Sequence, residues 1–369
     1  MGRHARSKNA MSGGHFAGQG PDPYSRASAG DYHDRLAKKR RRGFALRTLL
    51  IALVVLLAGS GVAVAAWVGN IQSRMNNSEV VTTELREALT ERDAPNDPYY
   101  VLLLGTDGRP GETQYRSDTI ILARIDPQQK VATLLSIPRD TMVTWKGSTM
   151  KINGVHAYDG AAGMVQIVSD LCHVEISHYA EVNFDGLSGI TDALGGVTVD
   201  VDMDIKDTIH FDDVTELQKG EQVLNGAQAL FYCRCRYFAD GDYTRMRHQR
   251  TFVKSLIAQV LSTTDPTKLV GVVNSCADMV ITDMSVTEIA SLANEMRGMN
   301  TEDGIYTAFV PSVPQMVDGV SYVVADWDQL DEMMKVIDQG GDPSGIAGST
   351  SKLAQKYGAG SSAGGSSTG

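Results

Sequence analysis

Residues 116–141 read RSDTIILARIDPQQKVATLLSIPRDT. Two apolar runs, 119–125 and 130–137, flank a turn sequence built around Asp126-Pro127-Gln128-Gln129, and this pattern predicts a β-hairpin. Upstream, YYVLLLG at 99–105 is a further strand. Downstream, helix and strand patterns alternate. A helix is predicted over 161–171, then the strand YAEVNF, a helix over 187–194 stopped by Gly195-Gly196, and the strand VTVDVDMDI. Helices over 224–231 and 250–261 follow, and MSVTEIASLANEMRGM, IYTAFVP and WDQLDEMMKVID read as helix, strand and helix. Strands mixed with covering helices predict an α/β fold: a layered α/β/α sandwich around a central mixed sheet.

Around this body, taken as one domain over 98–339, the ends differ in composition. The 369 residues are 42% hydrophobic and 21% charged, which excludes a wholly disordered, collagenous or polytopic membrane chain. The net charge of −10 is unevenly spread: residues 1–47 carry eleven Lys and Arg against three Asp, so +8 sits there and −18 in the remainder. That segment, without periodicity, is expected to be a disordered cytoplasmic tail. The uncharged run LLIALVVLLAGSGVAVAAWVG follows, about the ~20 residues a helix needs to span hydrocarbon. It predicts one transmembrane helix over 48–69, and the basic run Lys38–Arg42 ahead of it predicts a cytoplasmic N-terminus with the body outside the cell membrane. Ala63-Val64-Ala65 is also compatible with a signal cleavage site, and either reading exports the body. Residues 70–97 read as an extracellular stalk and 340–369, rich in Gly and Ser, as a disordered tail. The basic N-terminus surrounds no nucleic-acid-binding motif, so no nucleic acid is expected as a partner.

Four cysteines, Cys172, Cys233, Cys235 and Cys276, lack zinc-ligand spacing. A Cys172–Cys276 bridge and buried thiols are both compatible with the sequence. GTDGRPG is followed by no GK[ST], and there is no G-x-S-x-G, so the P-loop ATPase and serine-hydrolase readings fail.

Arginine placement is the informative feature. Of thirteen Arg after residue 47, five lie between Arg234 and Arg250, while Arg109, Arg116 and Arg139 sit at strand ends. Guanidinium forks match phosphate oxygens bidentately, so such a cluster suits a pyrophosphate. Asp107 and Asp118, interleaved with these arginines, would repel phosphate unless a cation such as Mg²⁺ intervened. An apolar face at 165–171 or at 187–194 is suited to a lipid groove and equally to the core.

The motifs LLLGTDGR, RSDTIILARID, LLSIPRDTMV, KINGVHAYDG, ALGGVTVDV, LNGAQALFYCRCRY and GDYTRMRHQR, in this order over about 99–262, resemble the LytR-CpsA-Psr family. The resemblance implies a phosphotransferase that moves an anionic glycopolymer, such as teichoic acid or capsule, from a polyprenyl pyrophosphate carrier to a peptidoglycan hydroxyl. It implies Mg²⁺ held by Asp107 and Asp118, and catalytic roles for Arg116, Arg139, Arg234, Arg236, Arg245 and Gln249. Arg109, Lys151, Asp242 and Arg247 are implied to bind substrate. His248 stands where the family often has Arg. A pyrophosphate hydrolase and a non-catalytic membrane sensor are the competing readings.

Overall fold

The computed structural model describes residues 62–92, 94, 96–106, 115–236, 238–240 and 242–346. The chain divides into two units, Met1–Trp67 and Val68–Gly369, and the architecture below is that of the second. Helix α1 covers 62–75. Among the described residues no helix is long and apolar enough to cross a membrane, and 1–61, with most of the predicted span, lie outside them.

The predicted hairpin forms. Strands β1 (Tyr99–Thr106), β2 (Ser117–Asp126) and β3 (Val131–Ser136) make an antiparallel meander, with Leu122 opposite Leu102 on one side and Leu135 on the other. A small hairpin, β4 (Met142–Trp145) with β5 (Ser148–Lys151), follows. β6 (Ile176–Asn183) pairs parallel to β1, and the sheet is completed by β11 (Val280–Thr282) and β12 (Ile305–Phe309) in the order β11-β6-β1-β2-β3-β12. The sheet is therefore mixed, as predicted.

Both faces of the sheet are apolar because its strands carry near-continuous aliphatic runs rather than an alternation with polar residues. Leu102, Ile120, Leu122 and Leu135 pack on one face with α2 (Thr83–Ala88), α3 (Ile152–Cys172) and α9 (Trp327–Asp338). Val101, Ile121, Ala123 and Leu134 pack on the other with Val253, Ile257 and Leu261 of α6 (Asp242–Ser262) and Leu292 of α8 (Val286–Glu295). A further core joins α4 (Phe184–Ala193), α5 (Gly226–Arg234) and α7 (Pro266–Met279) to β7 (Val197–Val201) and β10 (Gly220–Leu224), with Ile205 of β8 (Ile205–Lys206) and Leu217 of β9 (Glu216–Leu217). β13 (Ser312–Val317) and β14 (Val320–Ala325) form a peripheral hairpin. Helix starts follow local chemistry: Asn225 with Gln228 and Ser285 with Glu288 close capping boxes on α5 and α8.

Several expectations are corrected. Residues 70–97 are not a stalk, since Ile71 and Leu85 are fully shielded and Val81 and Leu85 join the core against α3. α3 begins at Ile152, nine residues before the predicted start, because Asp159 and Gly160 (φ 57°) kink it and break its period. α6 begins eight residues before 250, its first turns carrying Arg245 and Arg250, which are buried rather than solvated. The hairpins β4–β5 and β13–β14 and helix α7 were not anticipated. The tail starts later than 340, since Ile346 packs on the α3-side core. The faces at 165–171 and 187–194 are core. All four cysteines are free, with Cys172 and Cys276 in different cores. Burial pushes the Cys172 thiol up to about 12.

Gly196 shows how tightly the α4–β7 turn is made. Its φ is +102°, and a Cβ there would meet Val223 Cγ1 at 2.5 Å and the Leu224 carbonyl oxygen at 3.2 Å. Gly196→Ala is expected to destabilise the domain by about 2–3 kcal/mol, read as a lower denaturation midpoint at unchanged m-value.

Candidate active site

The strand pairings bring the ends of β1, β3, β6 and β12 and the start of β2 to one edge of the sheet. Asp118 is the second residue of β2, and Arg139 lies three residues beyond β3. Phe184 opens α4 directly after β6. Arg234 ends α5, Arg236 follows it, and Arg245 sits in the first turn of α6. Together with His210 and Phe211 these residues line a cavity of about 240 Å³.

The charges are tightly arranged. Arg139 Nη1 donates to Asp118 Oδ1 at 2.9 Å, and its Nε lies 3.6 Å from Asp242 Oδ2. Arg245 donates as a fork to Asp242, Nε to Oδ1 at 2.7 Å and Nη2 to Oδ2 at 2.6 Å, and Nη2 also reaches the Asp118 carbonyl at 3.1 Å. Arg234 lies over the rings of Phe184 (4.8 Å) and Phe211 (5.9 Å), which orient its plane without neutralising it. Four guanidinium groups thus face two carboxylates, a positive surplus whose chemistry suits a polyanion. Burial opposes the charge on Arg139, but Asp118, then Asp242 and Asp140, outweigh it and hold its pKa above the ordinary value. For Asp242 burial likewise acts against ionisation, and Arg245, Arg139 and Arg236 prevail, lowering its pKa.

Beneath the cavity edge, Glu181 of β6 is a buried carboxylate. It accepts from Thr106 Oγ1 at 3.0 Å and Tyr179 Oη at 2.7 Å, with His156 Nε2 at 3.5 Å, an ion-pair distance longer than a hydrogen bond. His156 Nδ1 lies 3.0 Å from the Tyr115 carbonyl. Thr106 and Tyr115 are the residues on either side of 107–114, so this network fastens both flanks of that segment. Asp107 and Arg109 themselves lie outside the described residues.

The remaining predicted residues sit elsewhere. Arg116 is exposed. Lys151 Nζ pairs with Asp140 at 2.8 Å. Arg247 pairs with Asp202, which also takes His248 Nε2 at 3.0 Å. His248 is fully shielded and stacked on Tyr232, and burial lowers its pKa despite Asp202. Gln249 is buried and donates to the Cys233 carbonyl at 3.1 Å, tying α6 to α5. Sequence reasoning missed His210, Phe211 and Phe184. The first two lie on an irregular segment that no periodicity could place, and the pair Asp207-x-x-His210 was its one signal.

On the α6 and α8 face of the sheet is a second cavity, of about 360 Å³. It is lined by aliphatic side chains of β1–β3, by Leu256, Ile257, Val260 and Leu261 of α6, by Ile289 and Leu292 of α8, and by Met284, Met296 and Met299.

The lowered pKa of Asp242 gives a signed expectation. Its contribution to stability is fully present above the unfolded carboxylate value near ~4 and is lost as pH falls through the lower folded value. Asp242→Asn should cost about 1–2 kcal/mol at pH 7, and the gap to the unaltered protein should narrow as pH falls below the unfolded carboxylate value, as read by urea denaturation across pH.

The LytR_cpsA_psr family model matches residues 65–339. The polyisoprenyl-teichoic acid–peptidoglycan teichoic acid transferase TagU of Enterococcus faecalis is 33% identical over 243 residues, 63% of this chain and 77% of that protein. The crystal structure of B. subtilis TagV superposes with a TM-score of 0.59 at 28% identity, covering 66% of this chain and 97% of that one. TagT bound to LIIa-WTA gives 0.56 at 26% identity, covering 68% and 93%. With the order of its motifs, its mixed sheet and a match over three quarters of its length, the chain belongs to the LytR-CpsA-Psr family.

Proposed function

We propose that this protein transfers an anionic glycopolymer from a polyprenyl pyrophosphate carrier to a peptidoglycan hydroxyl, forming a phosphodiester and releasing polyprenyl phosphate. One observation carries the reading beyond the names of its relatives. Helix α6 presents Arg245 to the cationic cavity and Ile257 to the apolar one. Twelve residues separate them, roughly 18 Å along a helix rising ~1.5 Å per residue. An amphiphile with a pyrophosphate head and a hydrocarbon tail matches both ends of that helix.

In this reading Arg139, Arg234, Arg236 and Arg245 hold the pyrophosphate oxygens and neutralise the charge that grows on the leaving phosphate. Asp242 fixes Arg139 and Arg245 in place. Arg109, Arg116, Lys151, Arg247 and Gln249 keep the roles the family resemblance implies, Gln249 through its bond to α5. The layered α/β/α domain begins at about residue 70 and is held outside the cell membrane by a single span within 48–69, with the N-terminus cytoplasmic. That confines the protein to the plane of its lipid carrier.

The donor set fits Mg²⁺. Asp118 lines the cavity beside four arginines, and Mg²⁺ characteristically takes one or two carboxylates with waters and phosphate oxygens. Asp118 and Asp107 would hold it. Bound there, the ion would neutralise phosphoryl oxygens as a Lewis acid.

Incubating the protein with polyprenyl-pyrophosphate glycan and peptidoglycan tests this. Glycan should appear on peptidoglycan with Mg²⁺ and not with EDTA, and Arg139→Ala should lower kcat/KM by roughly 10²–10³. Phosphate release without transfer would make the protein a hydrolase. Tight carrier binding without cleavage under any condition would make it a sensor. Filling the apolar cavity with Leu292→Trp should raise KM for a long-chain carrier by roughly tenfold or more, while a carrier of one or two isoprene units is used as before.

A further inference from the structure

Arg250, in the interior of α6, is a cation that the arrangement of the cationic cavity does not use. It is 6% exposed, and its Nε and Nη1 meet no hydrogen-bond partner among the described residues. Burial, with the like charge of Arg247, lowers its pKa to about 10, so it remains a cation at neutral pH. The ring of Phe309 lies 5.8 Å from its guanidinium carbon. A ring face at that distance offsets only a small part of the cost of burying a charge, and buried charges in folded proteins are ordinarily paired. A shielded guanidinium without a carboxylate therefore points to an anion that arrives with a ligand.

Its place in the fold says which anion. Val253 and Ile257 of α6 pack on the sheet. Residues three and seven positions apart share a helix face, so Arg250 belongs to that same face. It precedes Ile257, on the wall of the apolar cavity, by two turns, roughly 10 Å. Arg245, on the wall of the cationic cavity, lies five residues the other way, roughly 8 Å along the axis. On the sheet, Phe309 ends β12 and pairs with Ser136, which ends β3 and whose buried Oγ also has no partner among the described residues. Leu134, two residues back and so on the same face as Ser136, lines the apolar cavity. Along α6 the unpaired cation thus stands between the two cavities.

We infer that Arg250 is a further carrier-binding residue, one that meets the phosphate next to the polyprenyl chain from the tail side while the arginines of the cationic cavity grip the pyrophosphate from the head side. The inference rests on the proposed function. A carrier with its tail against Ile257 and its head at Arg245 brings that phosphate past Arg250. The guanidinium is already stripped of water, so the attraction is little screened, and the cost of keeping it buried is offset when the phosphate arrives. The same unpaired charge makes the site favour a phosphorylated lipid over the free alcohol of equal chain length.

The test measures binding of two probes, polyprenyl monophosphate and unphosphorylated polyprenol of the same length, to the full-length protein in detergent, beside melting temperatures. The unaltered protein should bind the monophosphate at least about tenfold more tightly than the alcohol. Arg250→Met, similar in reach but uncharged, should weaken the monophosphate Kd by roughly 10–100-fold and leave the polyprenol Kd within about twofold. It should also melt at the same temperature or about 2–8 °C higher, because an apolar side chain replaces an unpaired buried charge. Arg250→Lys, which keeps the charge, should bind the monophosphate more tightly than Arg250→Met does. If Arg250→Met binds the monophosphate as the unaltered protein does, or loses both lipids alike together with its melting temperature, the carrier-binding role is overturned and Arg250 is structural. An unaltered protein that binds the two lipids equally overturns the proposed function on which this role rests.

Discussion

The guanidinium of Arg139 lies between the carboxylates of Asp118 and Asp242, at 2.9 Å and 3.6 Å. Those residues come from β2, the segment after β3 and the start of α6, so a single shared cation ties the sheet edge to the helix that crosses it. Arg245 closes the same network from α6 by forking onto Asp242 and reaching the Asp118 backbone. Like charges so close repel, and they stay together because the partly buried carboxylates between them are felt strongly where water is scarce. Arg236 adds to the field on Asp242 from the cavity wall, and Arg234, stacked over Phe184 and Phe211, lines the same cavity. The positive surplus that suits a pyrophosphate is therefore a consequence of how the domain is stitched together.

The second constraint is the two-faced apolar sheet. Because β1, β2 and β3 bury side chains on both faces, helices must cover each, and the helix spanning one face is α6. Its first turns lie at the polar sheet edge and its last turns over Val101, Ala123 and Leu134, so one rigid element carries both arginine and aliphatic surface. At the opposite end of the sheet, buried Arg124 pairs with Asp126 and donates to the Asp338 carbonyl, which pins α9 across the other face. Strand ends held from both faces make the cavity edge a stiff platform, the condition for electrostatic preorganisation.

Much of this was legible in the residue order. The strand–turn–strand pattern of 119–137 and the Gly195-Gly196 stop were readable because period and turn chemistry are local. The arginine-rich stretch 234–250, with Arg139 and the interleaved Asp118, contains Arg234, Arg236 and Arg245, and the fold brings these five residues to one cavity. Other readings failed where burial reversed the meaning of a polar residue. The predicted helix starts only at 250, after the charged run RMRHQR at 245–250, yet Arg245, His248, Gln249 and Arg250 are buried in α6. TELREA looked like a stalk, yet Leu85 is core.

By itself the sequence determined the class of fold, the clustering of arginines, and the family, because these rest on local period, residue order and motif order. Only the tertiary structure decided which polar groups share a cavity. Asp118 and Arg245 stand 127 residues apart yet touch, and Asp207–His210 reaches the same wall from an irregular segment whose position is set by the packing of Phe211 on Phe231. The apolar cavity likewise exists only once α6 and α8 lie over the sheet. Contacts between distant segments follow from the burial of whole faces against one another, and no local pattern along the chain encodes that.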